Sequence, residues 1–189
     1  MSLDLKALET LASNNKNIDP NDPDPDIANR TSVNAIPALI ALVESSPLLG
    51  KFTMTGSNAT PGDITRLLSA IEQSGASLNF LNLSYEEFDF ERLVAHIANR
   101  HINSLTELHL EGTYPNSDDL EVLLPVLASS NLRVLNLSCN ELDEESLATL
   151  ANADHRIKTL EVLNLYEDGE DELELEAKVA EIAALYGTG

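Results

Sequence analysis

The residues with the clearest potential for chemistry are Glu107, His109 and Glu111, which alternate in the segment TELHLEG. Residues two apart on a β-strand point to the same face, so the imidazole would lie between two carboxylates. Such a group could supply ligands to a metal ion, and the flanking carboxylates would favour the charged imidazole. No second His or Cys falls beside it in the neighbouring strand-like segments. We therefore expect a polar binding surface here and no metal.

The other reactive residue types lack the context of a catalytic centre. The sequence contains no GxxxxGK[ST] or GxGxxG phosphate loop, no GxSxG and no HExxH. Cys139 follows a strand-like run, where we expect it to fill a turn. His96 should be a half-buried structural residue, and His101 and His155 should be solvated in helix-end loops. We expect no catalytic residues and no cofactor, which means a protein that is not an enzyme.

Composition narrows the class of protein and its partners. The chain has 189 residues, enough for one domain, and 33 of them are leucine against 4% aromatic residues. A net charge of −21 argues against nucleic acid or an anionic membrane surface as partner. One Cys and no evident signal peptide favour the cytoplasm or another reduced compartment. Delivery as a bacterial effector stays open.

A repeat of 27–29 residues organises the leucines. The pattern LxxLxL starts at residues 49, 78, 105, 132 and 160. Positions 15 and 19 residues after each start complete a set of 25, and all 25 are apolar. The 43% hydrophobic content predicts about 11 by chance. Each repeat therefore pairs a short strand with a helix, and its leucines, Leu135 and Leu163 included, face a shared core.

Repeated strand–helix units of one polarity must stack as a parallel sheet with helices on one side. The sequence predicts strands at 51–55, 80–84, 107–111, 134–138 and 162–166. Because helices are wider than the spacing between strands, the stack should curve. The predicted fold is an α/β solenoid, a right-handed arc with strands on the concave side and helices on the convex side.

The segment LRVLNLSCNEL (132–142) resembles the leucine-rich-repeat pattern LxxLxLxx(N/C)xL. The period and the full helix resemble the ribonuclease-inhibitor-like subclass over about residues 49–186. The Asn of that pattern occurs only as Asn140, so the Asn ladder should be incomplete and the other turns irregular. The resemblance implies a protein-interaction module, and Ran GTPase-activating proteins of this subclass make GTPase activation an alternative.

The two ends should cap the solenoid within a single domain of residues 1–189. We assign 1–48 to an N-terminal cap and degenerate repeat, with a helix in 36–47, then repeats over 49–170 and a capping helix over 171–189. The N-terminal layout, followed by KFTMTGSNATPGDITRLLSAIEQ, is also similar to the leucine-rich domain of tropomodulins, which implies actin capping as a further alternative. Capped ends and strong charge repulsion predict a monomer.

Four acidic clusters occur, and each falls between a strand end and the start of the next helix, for example Glu86 to Glu91 and Glu141 to Glu145. Carboxylates there stabilise helix N-termini, and we expect Ser84 and Glu87 to form a capping box. Stacking aligns these clusters into an acidic rim, which would steer a basic protein partner.

Residues at offsets two, four and six of each repeat should line the concave face. This face is the predicted binding site for a protein with a basic patch, since Phe80, Val134, Val162 and Tyr166 place apolar groups there. The predicted partner-binding residues are Phe80, Asn82, Glu107, His109, Glu111, Val134, Asn136, Val162, Asn164 and Tyr166.

Overall fold

The predicted strand–helix order is present in a computed structural model, which describes residues 36–57, 59–166 and 182. The strands are β1 (Lys51–Thr53), β2 (Phe80–Asn82), β3 (Glu107–His109), β4 (Val134–Asn136) and β5 (Val162–Asn164). The α-helices are α1 (Ile36–Glu44), α2 (Pro61–Ser74), α3 (Phe90–His96), α4 (Ser117–Ala128) and α5 (Glu144–Leu150). A π-helix (Ile97–His101) continues α3, and a 3-10 turn (Ala153–His155) follows α5.

The five strands form one parallel sheet in chain order, which confirms the α/β leucine-rich-repeat solenoid. Each strand begins at the predicted residue and ends two residues earlier than predicted. Hydrogen bonds between repeats continue past the strand ends, as from Met54 N to Asn82 O at 2.9 Å. The face of the sheet turned away from the buried leucines is called the concave face below.

The leucines at offsets zero, three and five of the repeats form the core. Leu81, Leu108 and Leu137 are fully buried, and the residues at the same offsets of the first four repeats are all at most 2% exposed. The last repeat differs, because Leu163 is only half-buried. Both Leu135 and Leu163 were expected in the shared core. Leu135 is buried there, whereas Leu163 lies at the margin of the core.

The turns after the strands are more regular than the incomplete Asn ladder predicted. Offset seven is left-handed in each of the four repeats where the structure describes it, with φ of 56° at Gly56, 59° at Tyr85, 61° at Gly112 and 55° at Cys139. Asn140, at offset eight, accepts hydrogen bonds through Oδ1 from the backbone N–H groups of Thr113 and Tyr114, both at 2.8 Å.

Glu86 occupies offset eight in the second repeat and replaces Asn there. Its buried carboxylate accepts hydrogen bonds from Ser57 N at 2.6 Å and Ser57 Oγ at 2.9 Å. Burial raises the pKa of Glu86, although the hydrogen bonds from Ser57 act in the opposite direction. Glu86 is therefore a structural residue and does not belong to a solvated acidic rim.

Polar side chains begin the helices that follow β1, β2, β3 and β4. Thr60 and Asp63 form a capping box on α2, and Asn116 and Asp119 form another on α4. The capping box expected at Ser84 and Glu87 is wrong, since α3 begins at Phe90 with Asp89 as its cap. Ser84 lies six residues before that helix; it is buried, and its Oγ accepts a hydrogen bond from Glu111 N at 3.2 Å.

Two histidines are buried where α3 passes into the π-helix. His96 and His101 are both 0% exposed and their ring centroids lie 4.5 Å apart. Leu78 N donates to His101 Nδ1 at 3.1 Å, and His96 Nδ1 lies 3.1 Å from Glu72 Oε1. The expectation of a solvated His101 is wrong, because the π-helix carries residue 101 inward to satisfy the backbone before β2.

Most of the predicted end caps lies outside the described residues. The helix expected in 36–47 is confirmed as α1, whose buried residues include Ile36, Leu39 and Val43. The rest of the N-terminal cap and the helix over 171–189, apart from Ile182, are not described, so the domain boundaries remain predictions. Within the described part of the chain, no helix is long and apolar enough to cross a membrane.

We expect Leu135→Ala to lower the free energy of unfolding by about 2–5 kcal/mol, because it leaves a cavity in the core. Leu163→Ala should cost less, since Leu163 is half-buried and its surroundings can relax. Urea unfolding of both variants and the wild type measures the difference. Equal losses for the two variants would contradict the burial order of the last repeat.

We expect mild acid to destabilise the protein through the histidine pair. Burial lowers the pKa of His96 to about 4 and that of His101 to about 3, from 6.5 in an exposed chain. The neighbouring Glu72 opposes this shift, while Arg92 and Arg100 add to it. Below pH 6.5 the unfolded state gains protons first, so stability is lost as the pH falls towards 4 and then 3.

Urea unfolding at a series of pH values in wild type and in His101→Gln tests this. The wild type should lose more stability than His101→Gln between about pH 7 and pH 5, a range that lies mostly above the ordinary titration of Asp and Glu. The large net negative charge affects both proteins alike, so it cancels in the comparison. An identical pH dependence would show that His101 is not held neutral by burial.

Candidate functional site

The sheet register places the predicted site residues in cross-strand ladders. Lys51 pairs with Phe80, then Glu107, Val134 and Val162 follow in order. The second ladder has Thr53, Asn82, His109, Asn136 and Asn164. Eight of the ten predicted residues therefore lie within the strands, and Glu111 and Tyr166 lie just beyond strand ends. The structure brings the whole predicted set onto one face and its C-terminal edge.

Phe80 is the centre of an aromatic and charged group on the concave face. Lys51 Nζ lies 5.4 Å from the centroid of the Phe80 ring, within cation–π range. On the other side, the rings of Phe80 and His109 have centroids 5.1 Å apart. Phe80 remains partly exposed, so its own neighbours do not cover it. This group is an aromatic surface bordered by the ammonium group of Lys51.

Asn82 and Asn136 shape the loops as well as lining the face. Asn82 Oδ1 accepts from Ser84 N at 2.9 Å, and Asn136 Oδ1 accepts from Ser138 N at 3.1 Å. Asn136 Nδ2 also donates to Glu111 Oε2 at 3.2 Å. These amides thus begin the turns after their strands, so part of the middle ladder is explained by local structure.

His109 lies beside the carboxylate of Glu107 on β3. Its Nε2 lies 3.9 Å from Glu107 Oε2, and the nearby carboxylates favour the charged ring. Partial burial is the larger influence and lowers the pKa of His109. The carboxylates therefore act in the predicted direction, and burial of the ring outweighs them. No cluster of three potential metal ligands occurs among the residues that the structure describes.

Sequence reasoning missed Tyr85 and Tyr114, which lie in the loops after β2 and β3. Both are exposed, at 51% and 61%, and both have left-handed backbone, with φ of 59° and 53°. Tyr85 donates its hydroxyl hydrogen to Glu111 Oε1. A side chain at Gly112 would collide with the Tyr85 ring, so this ring packs directly on the glycine backbone.

An alignment of the repeats contains the signal that finds Tyr85. Offset seven is Gly56 in the first repeat and Gly112 in the third, which indicates a left-handed turn. A tyrosine at the same offset of the second repeat is an unusual choice for that backbone. That departure marks Tyr85 as a residue whose presence the turn itself does not require.

The fold resembles that of a solved domain, the tropomodulin C-terminal domain from Caenorhabditis elegans. The match covers 80% of this chain and 93% of that chain, with a TM-score of 0.54 and 11% sequence identity. No protein-family model matches the chain, and no curated protein matches it either. The likeness supports a leucine-rich-repeat fold, and at this identity it extends to the fold alone.

We expect Tyr85 to ionise at higher pH than an ordinary tyrosine. The hydrogen bond to Glu111 raises the pKa of the phenol, because the carboxylate accepts its proton and repels the phenolate. Glu111→Gln should therefore lower that pKa. Ultraviolet absorbance during an alkaline titration measures it, with Tyr85→Phe identifying the contribution of Tyr85. An unchanged titration in Glu111→Gln would contradict the contact.

Proposed function

We propose that this chain is a non-catalytic protein-binding module that holds a protein partner on the concave face. The observation that supports this is the exposed apolar and aromatic group across that face. Phe80 and Val134 are partly exposed, while Val162 and Tyr166 are 41% and 63% exposed. Residues of these types are enriched among interface anchors.

The proposed partner is a protein with a basic patch. Exposed carboxylates such as Glu87, Glu141 and Glu144 border the concave face near the helix N-termini. Attraction to such a border raises the rate of association in a salt-dependent way. Nucleic acid and anionic membranes are poor partners for a chain with a net charge of −21.

The proposal includes a monomer that binds as a ribonuclease-inhibitor-like repeat protein and catalyses no reaction. The period of 27–29 residues supports that subclass. Actin regulation is the second candidate, and the fold likeness to a tropomodulin domain favours it. Depolymerisation of pyrene-labelled actin from pointed ends separates the two, since a general binding module would not change its rate.

The test of the concave face as the binding site has two steps. Capture from lysate with mass spectrometry identifies the partner, and calorimetry with the purified partner then measures the affinity of each variant. Phe80→Ala and Tyr166→Ala should each weaken binding by more than about 1 kcal/mol, the ordinary cost of losing an aromatic anchor. Val122→Ala is the matched control, because Val122 is also an exposed apolar residue, at 41%, but lies on helix α4.

Circular dichroism and thermal unfolding should show that all three variants keep the fold. Loss of binding in Val122→Ala with normal binding in the two concave variants would place the partner on the convex helices.

Glu144→Lys should mainly slow association and reduce its dependence on salt, which stopped-flow measurements at two salt concentrations would show.

A further inference from the structure

The C-terminal edge of the sheet presents three exposed tyrosines. We define the tyrosine edge as Tyr85, Glu111, Gly112, Tyr114 and Tyr166, which lie in the segments that follow β2, β3 and β5. The three tyrosines are 51%, 61% and 63% exposed. The concave face contains only one of them, Tyr166, among the predicted site residues, so the tyrosine edge extends that face.

The Tyr85 ring is fixed in place before any partner arrives. Its position is set by the Gly112 backbone beneath it, by the hydroxyl bond to Glu111, and by the hydrogen bond from Tyr85 N to Glu111 O at 2.7 Å. About half of the side chain still remains exposed. A ring that is ordered in advance loses little conformational entropy on binding.

The turn does not need a tyrosine at this position. Tyr85 has φ of 59°, in the left-handed region that bulky residues avoid. The equivalent residues Gly56 and Gly112 adopt φ of 56° and 61° without steric cost, and Cys139 adopts 55° with a smaller side chain. Strained backbone of this kind is concentrated at functional sites. The turn therefore forms with other residues at this offset, so the Tyr85 ring is not required to build it.

Charge around the tyrosine edge selects a cation. Of the four described strand-to-helix loops, residues 83–89, 110–116 and 137–143 contain carboxylates and no Lys or Arg, while residues 54–60 contain no charged residue. Glu87 and Glu141 are exposed there, and Glu111 is partly exposed beside Tyr85. An aromatic face next to carboxylates attracts a cation from two directions, through the ring quadrupole and through direct charge.

We propose that the tyrosine edge binds arginine side chains of a partner protein. This inference rests on the proposed protein-binding function. It adds that the partner contacts the tyrosine edge and that it does so through arginine side chains. A guanidinium group is planar and weakly hydrated, so it stacks on a tyrosine ring while donating hydrogen bonds to a carboxylate. A lysine ammonium group is a compact, strongly hydrated charge and lacks the planar geometry.

The distance between the tyrosines of the edge determines how far apart two arginines of the partner must lie. Three inter-strand spacings of about 4.8 Å separate the loop of Tyr85 from that of Tyr166, or about 14 Å. An extended peptide advances about 3.3 Å per residue, so two arginines four residues apart would reach both positions. The probe is therefore a capped peptide containing Arg-Gly-Ser-Gly-Arg.

A titration of the full chain with this peptide tests the proposal. Nuclear magnetic resonance measures the amide chemical shifts at each peptide concentration. Amides of Tyr85, Gly112 and Tyr114 should shift. The matching lysine peptide should bind at least about threefold more weakly, and the uncharged citrulline peptide should not bind detectably. Equal affinity for the arginine and lysine peptides would indicate unspecific charge attraction and overturn the proposal.

Variants of the chain separate this proposal from the function on which it rests. Tyr85→Gly should weaken peptide binding about fivefold while folding normally, because glycine suits that turn. Tyr85→Phe keeps the ring and should retain most of the affinity. Val122→Ala, on the opposite side of the molecule, should bind the peptide as the wild type does.

Other outcomes overturn the assignment in distinct ways. If the shifts fall on Phe80, Val134 and Val162 and only Phe80→Ala weakens binding, the tyrosine edge is not the site, although the concave face still binds. If the arginine peptide shifts no amides, the arginine assignment fails. Binding of the captured partner to the Phe80→Ala variant then decides the proposed function separately.

Discussion

The stacking of leucines between neighbouring repeats is the interaction on which the rest of this structure depends. A single repeat cannot bury its own leucines at offsets zero, three and five, and its strand of three residues has no partner for its backbone. The next repeat supplies both, because Leu81 lies beside Leu108 in a parallel ladder and Leu108 beside Leu135. Each repeat is therefore stable only within the array.

This stacking also fixes what the opposite face of the sheet can present. Alternation along a strand sends every second residue away from the core, so Phe80, Glu107 and Val134 must form a row. The row is continuous because the register does not change between strands. A partner therefore meets an ordered surface whose side chains are held by a backbone that cannot easily shift.

The segments beyond the strands have more freedom, and the chain uses it at the C-terminal edge. The left-handed residue at offset seven turns the backbone away from the sheet in each described repeat from the first to the fourth. Offset eight then ties neighbouring repeats together, through Asn140 in one place and through Glu86 in another. Different side chains solve the same problem, which leaves room for Tyr85 and Tyr114 to be exposed.

Local pattern was enough to predict the repeats, the strand starts, the helix α1 and the ladders of the concave face. These features follow from apolar spacing along the chain, and the period of 27–29 residues fixes the register. Burial of Leu135 could be predicted for the same reason. Ten site residues were placed on one face and its edge because alternation of side chains is a property of any strand.

Only the tertiary structure decided which polar residues are buried and which residues they contact. His101 is buried because Leu78 N donates to it from 23 residues away, and Glu86 because it binds Ser57 from 29 residues away. The Tyr85 ring likewise packs on a residue of another repeat, Gly112. Burial and charge at these positions depend on neighbours supplied by other repeats, and residue type alone does not specify those neighbours.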